Sequence, residues 1–244
     1  MKAMLLAAGK SERLKGFSEG APKVMLEVAG RPILEHNLRY LKKHGVTDVV
    51  INLHYRPQVI RNFIRKNKGF GLRVHFSMEK KLCGTAGGVK KARRFLGNSS
   101  FFVMYGDNIM DFDLRAMRQF HKKKKSSLTL AVYNPLKTDW SGVAAGLIRL
   151  SGDKKILAFE EVRGNKSVAS NRWVNAGLIL MSPAVLKEIP EKGAFDFSRD
   201  LFPAWLQSGR SLFGYTGAHY VLASDTVPAW RKTNRLARKR MKEE

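Results

Sequence analysis

The stretch LLAAGKSERLKGFSEGAPKVMLEVAGRPI, Leu5 to Ile33, gathers the groups that a phosphate ester needs. An apolar run, Lys2 to Ala8, breaks into a segment carrying Gly9, Gly16, Gly20 and two cations, Arg13 and Lys23. Pro22 fixes the backbone just before Lys23 and so limits where that ammonium can point. Backbone N–H groups freed at the end of a strand, with fixed positive charge beside them, form a cradle for a polyanion. The spacing is neither the dinucleotide glycine fingerprint nor the lysine P-loop, so on pattern alone an ordinary glycine-rich surface loop remains the alternative. A second polar residue at a strand end is Asp107, after the apolar run Phe101 to Tyr105 and Gly106. By residue type alone it reads as a helix cap.

Hydrophobic periodicity predicts the frame that must hold these groups. After the strand at Lys2 to Ala8, Pro32 opens a helix whose Ile33, Leu34, Leu38 and Leu41 recur at helical spacing until Gly45. Asp48 to Leu53 is a strand, Pro57 to Lys66 a helix, and Arg73 to Ser77 a third strand. A glycine-rich loop then leads into a helix through Phe95, and Phe101 to Tyr105 is another strand. This alternation predicts a parallel sheet covered by helices on both faces. Right-handed crossovers bring the strand-to-helix loops to one edge of it, where chemistry should collect. Asp113 caps a helix to about Lys124, and a strand follows from Ser127 to Tyr133. From there the pattern changes to a hairpin, Ala145 to Leu150 with Ile156 to Glu160, and a strand from Trp173 to Met181. Ser182-Pro183 starts a short helix. A helix from Ser198 to Ser208, a strand from Leu212 to Tyr215 and a helix from Thr226 to Lys239 complete the chain. The expectation is one α/β domain over 1–244, divided into a first half (1–135), a small lobe (136–225) and a C-terminal helix with a basic tail (226–244).

A chain of 244 residues can bury a full core. No apolar run reaches the ~18 residues that span a bilayer. Met1-Lys2 leads straight into a strand, so no signal peptide is expected. A single cysteine, Cys83, allows no internal disulfide and suits a reducing cytoplasm. With 45 Lys and Arg against 20 Asp and Glu, the net charge of +25 attracts phosphates, anionic lipid and nucleic acid. Local clusters lie at Lys122 to Lys125, at Lys90, Lys91, Arg93 and Arg94, and from Arg231 to Lys242. No aromatic residues alternate with them as on a single-strand stacking platform. A solvated basic surface is therefore the plainer reading, with nucleic acid as a secondary partner.

The motifs resemble a known family. Leu6-Ala7-Ala8-Gly9, Arg13-Leu14, Pro22-Lys23 and Met25-Leu26 are similar to the signature of the sugar-1-phosphate nucleotidyltransferases, or NDP-sugar pyrophosphorylases. Ser11 and Glu12 stand where that family usually has Gly and Thr, and Val24 replaces a second proline. The closest likeness is to the mannose-, heptose- and glucose-1-phosphate enzymes. It implies a Rossmann-like, GT-A-like fold with a mixed, mainly parallel sheet and a sugar-binding lobe. The loop Glu79 to Gly88 resembles the Leu-Gly-Thr-Ala-Gly segment that lines the base and ribose pocket. Small residues there let the backbone approach a flat base. By this resemblance Leu6, Ala7, Ala8, Gly9, Ser11, Glu79, Gly84, Thr85 and Ala86 bind the nucleotide. Cys83 reads as packing. Gly106-Asp107 resembles the family's metal site, where a carboxylate holds Mg²⁺ and the substrate phosphates complete its shell.

In the lobe, Ser141-Gly142-Val143, Phe159-Glu160-Glu161 and Asn175-Ala176-Gly177 resemble the sugar-binding segments. They imply that Gly142, Glu161 and Asn175 bond sugar hydroxyls. Two departures stand out: Val162 replaces the lysine that grips the sugar phosphate, and Ala223 falls where the family has its second metal-binding aspartate. Asp225, two residues on, is either that second ligand or a helix cap. The implied reaction joins a nucleoside triphosphate (NTP) to a sugar-1-phosphate with release of pyrophosphate. Arg13 would hold the β- and γ-phosphates, Lys23 the α-phosphate and Asp107 the Mg²⁺. The competing readings are a degenerate relative that binds nucleotide or RNA without turnover, and a cytidylyltransferase for a non-sugar phosphate.

Overall fold

The computed structural model describes residues 1–9, 20–141, 146–161 and 172–240. Among them the chain runs through β1 (Lys2–Leu6), a small hairpin of β2 (Glu27–Val28) and β3 (Arg31–Pro32), α1 (Ile33–Lys43), β4 (Asp48–Leu53), α2 (Pro57–Lys66) and β5 (Arg73–Met78). Next come α3 (Gly84–Lys91), α4 (Arg93–Leu96), β6 (Phe101–Tyr105), β7 (Asn108–Asp111), α5 (Leu114–Lys123), β8 (Leu128–Tyr133) and β9 (Asp139–Trp140). The remainder holds β10 (Gly146–Leu150), β11 (Ile156–Glu161), β12 (Trp173–Met181), α6 (Phe202–Gln207), β13 (Phe213–Tyr215), β14 (Tyr220–Ala223) and α7 (Val227–Arg240).

The main sheet has nine strands, with the path β11-β10-β12-β6-β1-β4-β5 and with β8 and β13 joined through β12. Its parallel part is β6-β1-β4-β5, with Ala3 opposite Phe102 and Val49. Successive side chains on a strand point to opposite faces, and the core divides accordingly. Leu5, Val49, Ile51, Phe102 and Met104 pack under α1 and α2, against Leu34, Leu38, Ile60 and Ile64. Met4, Val50, Phe101 and Val103 pack on the other face, against Val89 and Leu96 of α3 and α4 and against Phe197 and Phe202. Burying each such aliphatic side chain is worth about 1.5–3 kcal/mol, which fixes the strand register that aligns the loops. Both covered faces and the mixed α/β sheet agree with the sequence reading.

Some details differ from the periodicity. The helix expected from Pro32 begins at Ile33, because Pro32 itself is extended at ψ 143° and ends β3. The helix expected through Phe95 breaks at Ala92 into α3 and α4. The helix expected from Ser198 opens with a wide π turn at Phe197–Leu201 before α6, where Pro203 has no N–H to contribute to the ladder. The short strands β7, β14 and β9 form a separate three-stranded sheet that periodicity could not reveal. It packs on α7 and brings the end of β14 to the start of β7, with Ala223 opposite Asn108. No helix among the described residues is long and apolar enough to cross a membrane.

Candidate active site

Because β1, β4, β5 and β6 run parallel, their C-terminal ends meet at one edge, and buried polar groups tie them together there. Asn52, near the end of β4, accepts the Ala7 N–H through Oδ1 at 2.7 Å and donates through Nδ2 to Glu79 Oε1 at 2.7 Å. The other Glu79 oxygen accepts the Cys83 N–H at 2.9 Å. One amide and one carboxylate thus set the spacing between the first glycine turn and the second motif. Buried groups so fully satisfied are rigid, because breaking one bond orphans its partner. Between these loops lies a cavity of about 220 Å³, walled by Leu6, Ala7, Ala8, Gly9, Glu79 and Gly84. Ala86 is fully buried in the core behind it. The Thr85 side chain also lines the cavity, but its N–H and hydroxyl both donate to Asp196 Oδ1, at 2.8 and 3.0 Å. Burial and the charge of Glu79 push the Cys83 thiol up, which favours the packing role over a nucleophile.

Tyr105 closes the cavity from β6. Burial pushes its phenol up to about 12, against which hydrogen bonds to Thr85 and Ser198 pull only partly. The neutral phenol is thus favoured in the fold, and its contribution to stability is complete below the ordinary tyrosine pKa. Stability is expected to fall as pH rises from about 10 towards about 12, by at most about 1.4 kcal/mol per pH unit from this group. Urea titrations of Tyr105→Phe should show a shallower alkaline decline than those of the unaltered chain.

Lys23 is placed by a single turn, Lys23–Met25, pinned by the buried Val24 and by the Met25 N–H donating to Pro22 O at 2.8 Å. Its ammonium donates to Asp107 Oδ2 at 2.6 Å and to Asp225 Oδ1 at 2.5 Å. Burial alone would depress the lysine, but the two carboxylates outweigh it and hold its pKa above the usual value. Asp107 is no helix cap: β7 follows it directly. It comes close to β1 because residue 106 is glycine. The Gly106 N–H donates to Leu6 O at 2.9 Å, and a Cβ there would lie 2.7 Å from that oxygen. Asn37 of α1 holds the same turn by donating to Gly106 O at 3.0 Å. Asp225 arrives through the β14–β7 register, although Ala223 occupies the aligned position. The capping bond at the start of α7 comes from Thr226, whose hydroxyl accepts the Ala229 N–H at 3.3 Å.

Two carboxylates converging on one cation suit a hard divalent ion, which needs only one or two such ligands when phosphates supply the rest. No cage of three or more His, Cys, Asp or Glu exists among the described residues. Of the sugar-side residues, Glu161 ends β11 and pairs with Arg199 Nε at 3.4 Å. Asn175 Oδ1 accepts the Gly177 N–H at 3.0 Å, where the pairing of β12 with β8 slips between Asn175 and Ile179. Arg13, Ser11 and Gly142 lie outside the described residues. Sequence reasoning missed Asn37, Asn52, Tyr105, Asp196 and Arg199. Of these only Asn52, a polar residue inside the apolar run DVVINL, left a readable signal.

The nucleotidyl transferase family model matches residues 2–231. The chain belongs to that family. As a nucleotidyl transferase it is 30% identical over 220 residues to the UTP–glucose-1-phosphate uridylyltransferase of Synechocystis, covering 86% of this chain and 56% of that protein. It is 32% identical over 213 residues to the mannose-1-phosphate guanyltransferase of Aspergillus fumigatus, covering 86% and 57%. The chain thus spans a little over half the length of these curated relatives. Among solved structures, HddC of Yersinia pseudotuberculosis complexed with GMP-PN superposes with a TM-score of 0.79 at 22% identity, covering 97% of this chain and 99% of that one. A putative glucose-1-phosphate thymidylyltransferase from Bacillus anthracis gives 0.80 at 22% identity, covering 98% and 95%. At that identity the likeness establishes the nucleotidyl transferase fold.

Proposed function

We propose that this nucleotidyl transferase condenses an NTP with a sugar-1-phosphate to give an NDP-sugar and pyrophosphate. The observation that carries the reading is the Lys23 ammonium held between Asp107 and Asp225 at the rim of the cavity. An oxygen of the sugar phosphate attacks the α-phosphorus, the bond to the bridging oxygen breaks, and pyrophosphate leaves with that electron pair. Lys23 exchanges its carboxylate partners for the α-phosphate, where negative charge grows. The laced strand ends hold base and ribose, and alignment of two bound anions supplies much of the rate. Arg13 is assigned the β- and γ-phosphates on its motif position. Asp107 and Asp225 would hold Mg²⁺, which neutralises phosphate charge and aligns the oxygens when bound. On the sugar side, Glu161 and Asn175 offer acceptors for hydroxyls. Arg199, ion-paired to Glu161, offers a cation in place of the lysine that Val162 replaces.

Pyrophosphate release from each of the four NTPs with a panel of hexose- and heptose-1-phosphates and Mg²⁺ tests the reading. Release with at least one pair is expected, and silence across the panel removes it. Asp225→Ala should lower that rate by ~10²-fold and raise the Mg²⁺ concentration needed for half-maximal rate. Adding Ala223→Asp should not restore it, because residue 223 is buried and its backbone is pinned by Ser141 and Thr233.

A further inference from the structure

At the opposite edge of the sheet lies a second feature that the transfer reaction does not use. A groove of about 740 Å³ runs along α5, between that helix and the Ser99–Ser100 turn that enters β6. Its wall carries Arg115, Arg118, Lys122 and Lys125, all exposed, at spacings of three, four and three residues. Arg115, Arg118 and Lys122 thereby share one face of α5, and Lys125 follows in the turn just past its end. Among the described residues no carboxylate lines the groove, and none of the four forms an ion pair. Elsewhere the chain does pair its cations: Lys90 and Arg93 share Glu191, and Lys124 meets Asp153 at 3.6 Å. Ser99, Ser100 and Ser182 also line it, while the Ser126 hydroxyl is committed to Leu128 O. Lys125 and Ser126 also line an adjoining groove of about 430 Å³, where Arg210 is already paired with Glu188.

We propose that this groove binds the phosphate backbone of double-stranded nucleic acid without reading its sequence. From Arg115 to Lys122 α5 rises roughly 10 Å, and Lys125 lies in the turn just beyond. A duplex strand presents one phosphate per ~3.4 Å of axis, so about four phosphates face four cations. The surface suits a duplex better than the alternatives. A bilayer surface would favour apolar residues that insert, and among the described residues the exposed large hydrophobic side chains, Val59, Met78, Leu82, Leu136 and Leu157, all lie elsewhere. A single strand would need open aromatic faces. Here Trp205 is 5% exposed, and the Phe213 ring has the Lys124 ammonium 5.3 Å from its centre. The edge is also distant in topology from Asp107, since Ser100 precedes β6 and Asp107 follows it.

Fluorescence anisotropy with a mixed-sequence duplex of about 20 base pairs tests this. Four neutralised phosphates predict a slope of log K against log salt of about −3.6, or a ~150-fold loss between 50 and 200 mM salt. The double variant Arg118→Gln/Lys122→Gln should bring the slope to about −1.8 and the loss to ~12-fold. Its melting temperature and pyrophosphate release should match the unaltered chain. Arg231→Gln/Arg235→Gln on α7 should keep the full slope. Absence of duplex binding at low salt overturns the proposal, and so does a slope that responds to the α7 pair but not to the α5 pair. Binding to phosphatidylcholine–phosphatidylserine vesicles that depends on Arg118 and Lys122, with none to the duplex, overturns it in favour of a membrane surface. None of these outcomes bears on the transferase reading, whose residues are untouched.

Discussion

Lys23→Ala is expected to lower the turnover rate by ~10²–10³-fold while tightening the binding of a divalent cation. The two effects run in opposite directions because one ammonium serves two partners. In the proposed reaction Lys23 neutralises charge on the α-phosphate. Without it, the same Nζ sits 2.6 Å from Asp107 and 2.5 Å from Asp225. Removing the lysine takes from both carboxylates the cation they share, which favours an added cation there and costs stability until one binds. Asp107→Ala should reduce both rate and metal affinity, the rate by ~10³-fold. Steady-state pyrophosphate assays, together with Mn²⁺ or Mg²⁺ titrations by calorimetry, separate these cases. Parallel loss of metal affinity in both variants would refute the shared-partner arrangement. Lys23→Arg should not rescue the rate, because a planar guanidinium cannot take the place of a compact ammonium held 2.6 and 2.5 Å from two carboxylates. Since the carboxylates hold the Lys23 pKa above the usual lysine value, the charge persists through any ordinary assay pH, and its stabilising pairings are lost only as pH rises past that level.

The parallel half of the fold was legible because its signals are local. β1, β4 and β6 are short apolar runs, and α1, α2 and α5 repeat their buried residues every three or four positions. The Lys23–Asp107 contact was legible only as a motif, since 84 residues separate the two and no periodicity predicts the meeting. Asp225 shows the limit of motif alignment. Counting from Thr226 puts alanine at the ligand position, and only the pairing of a four-residue strand with β7 brings the aspartate two places on to Lys23. Asp196 was invisible for a related reason. It lies in an irregular segment, 111 residues from the threonine it anchors, and its type alone does not mark it as a brace.

That brace leads to the largest expected loss of stability from one added methyl group. Gly84 sits at φ +75°, a conformation that costs a side-chain-bearing residue roughly 1–2 kcal/mol. A Cβ there would lie 2.6 Å from Phe195 O and 2.7 Å from Phe195 N, and both are backbone atoms that cannot rotate aside. The same Phe195 peptide groups donate to Cys83 O at 2.8 Å and accept from Gly87 N at 2.9 Å, so any retreat breaks the clamp on the loop that opens α3. Gly84→Ala is therefore expected to destabilise the chain by ~2–4 kcal/mol, lowering the melting temperature by roughly 5–15 °C. The KM for NTP should rise further than kcat falls, since the displaced loop borders the cavity and not the Lys23 ammonium. Gly152→Ala provides the contrast. It lies in the β10–β11 turn with nothing within 4 Å of its added carbon, and should stay within ~0.5 kcal/mol of the unaltered chain. Equal melting temperatures for the two variants would show that the Phe195 segment can yield, and that the second motif is less rigid than its hydrogen bonds imply.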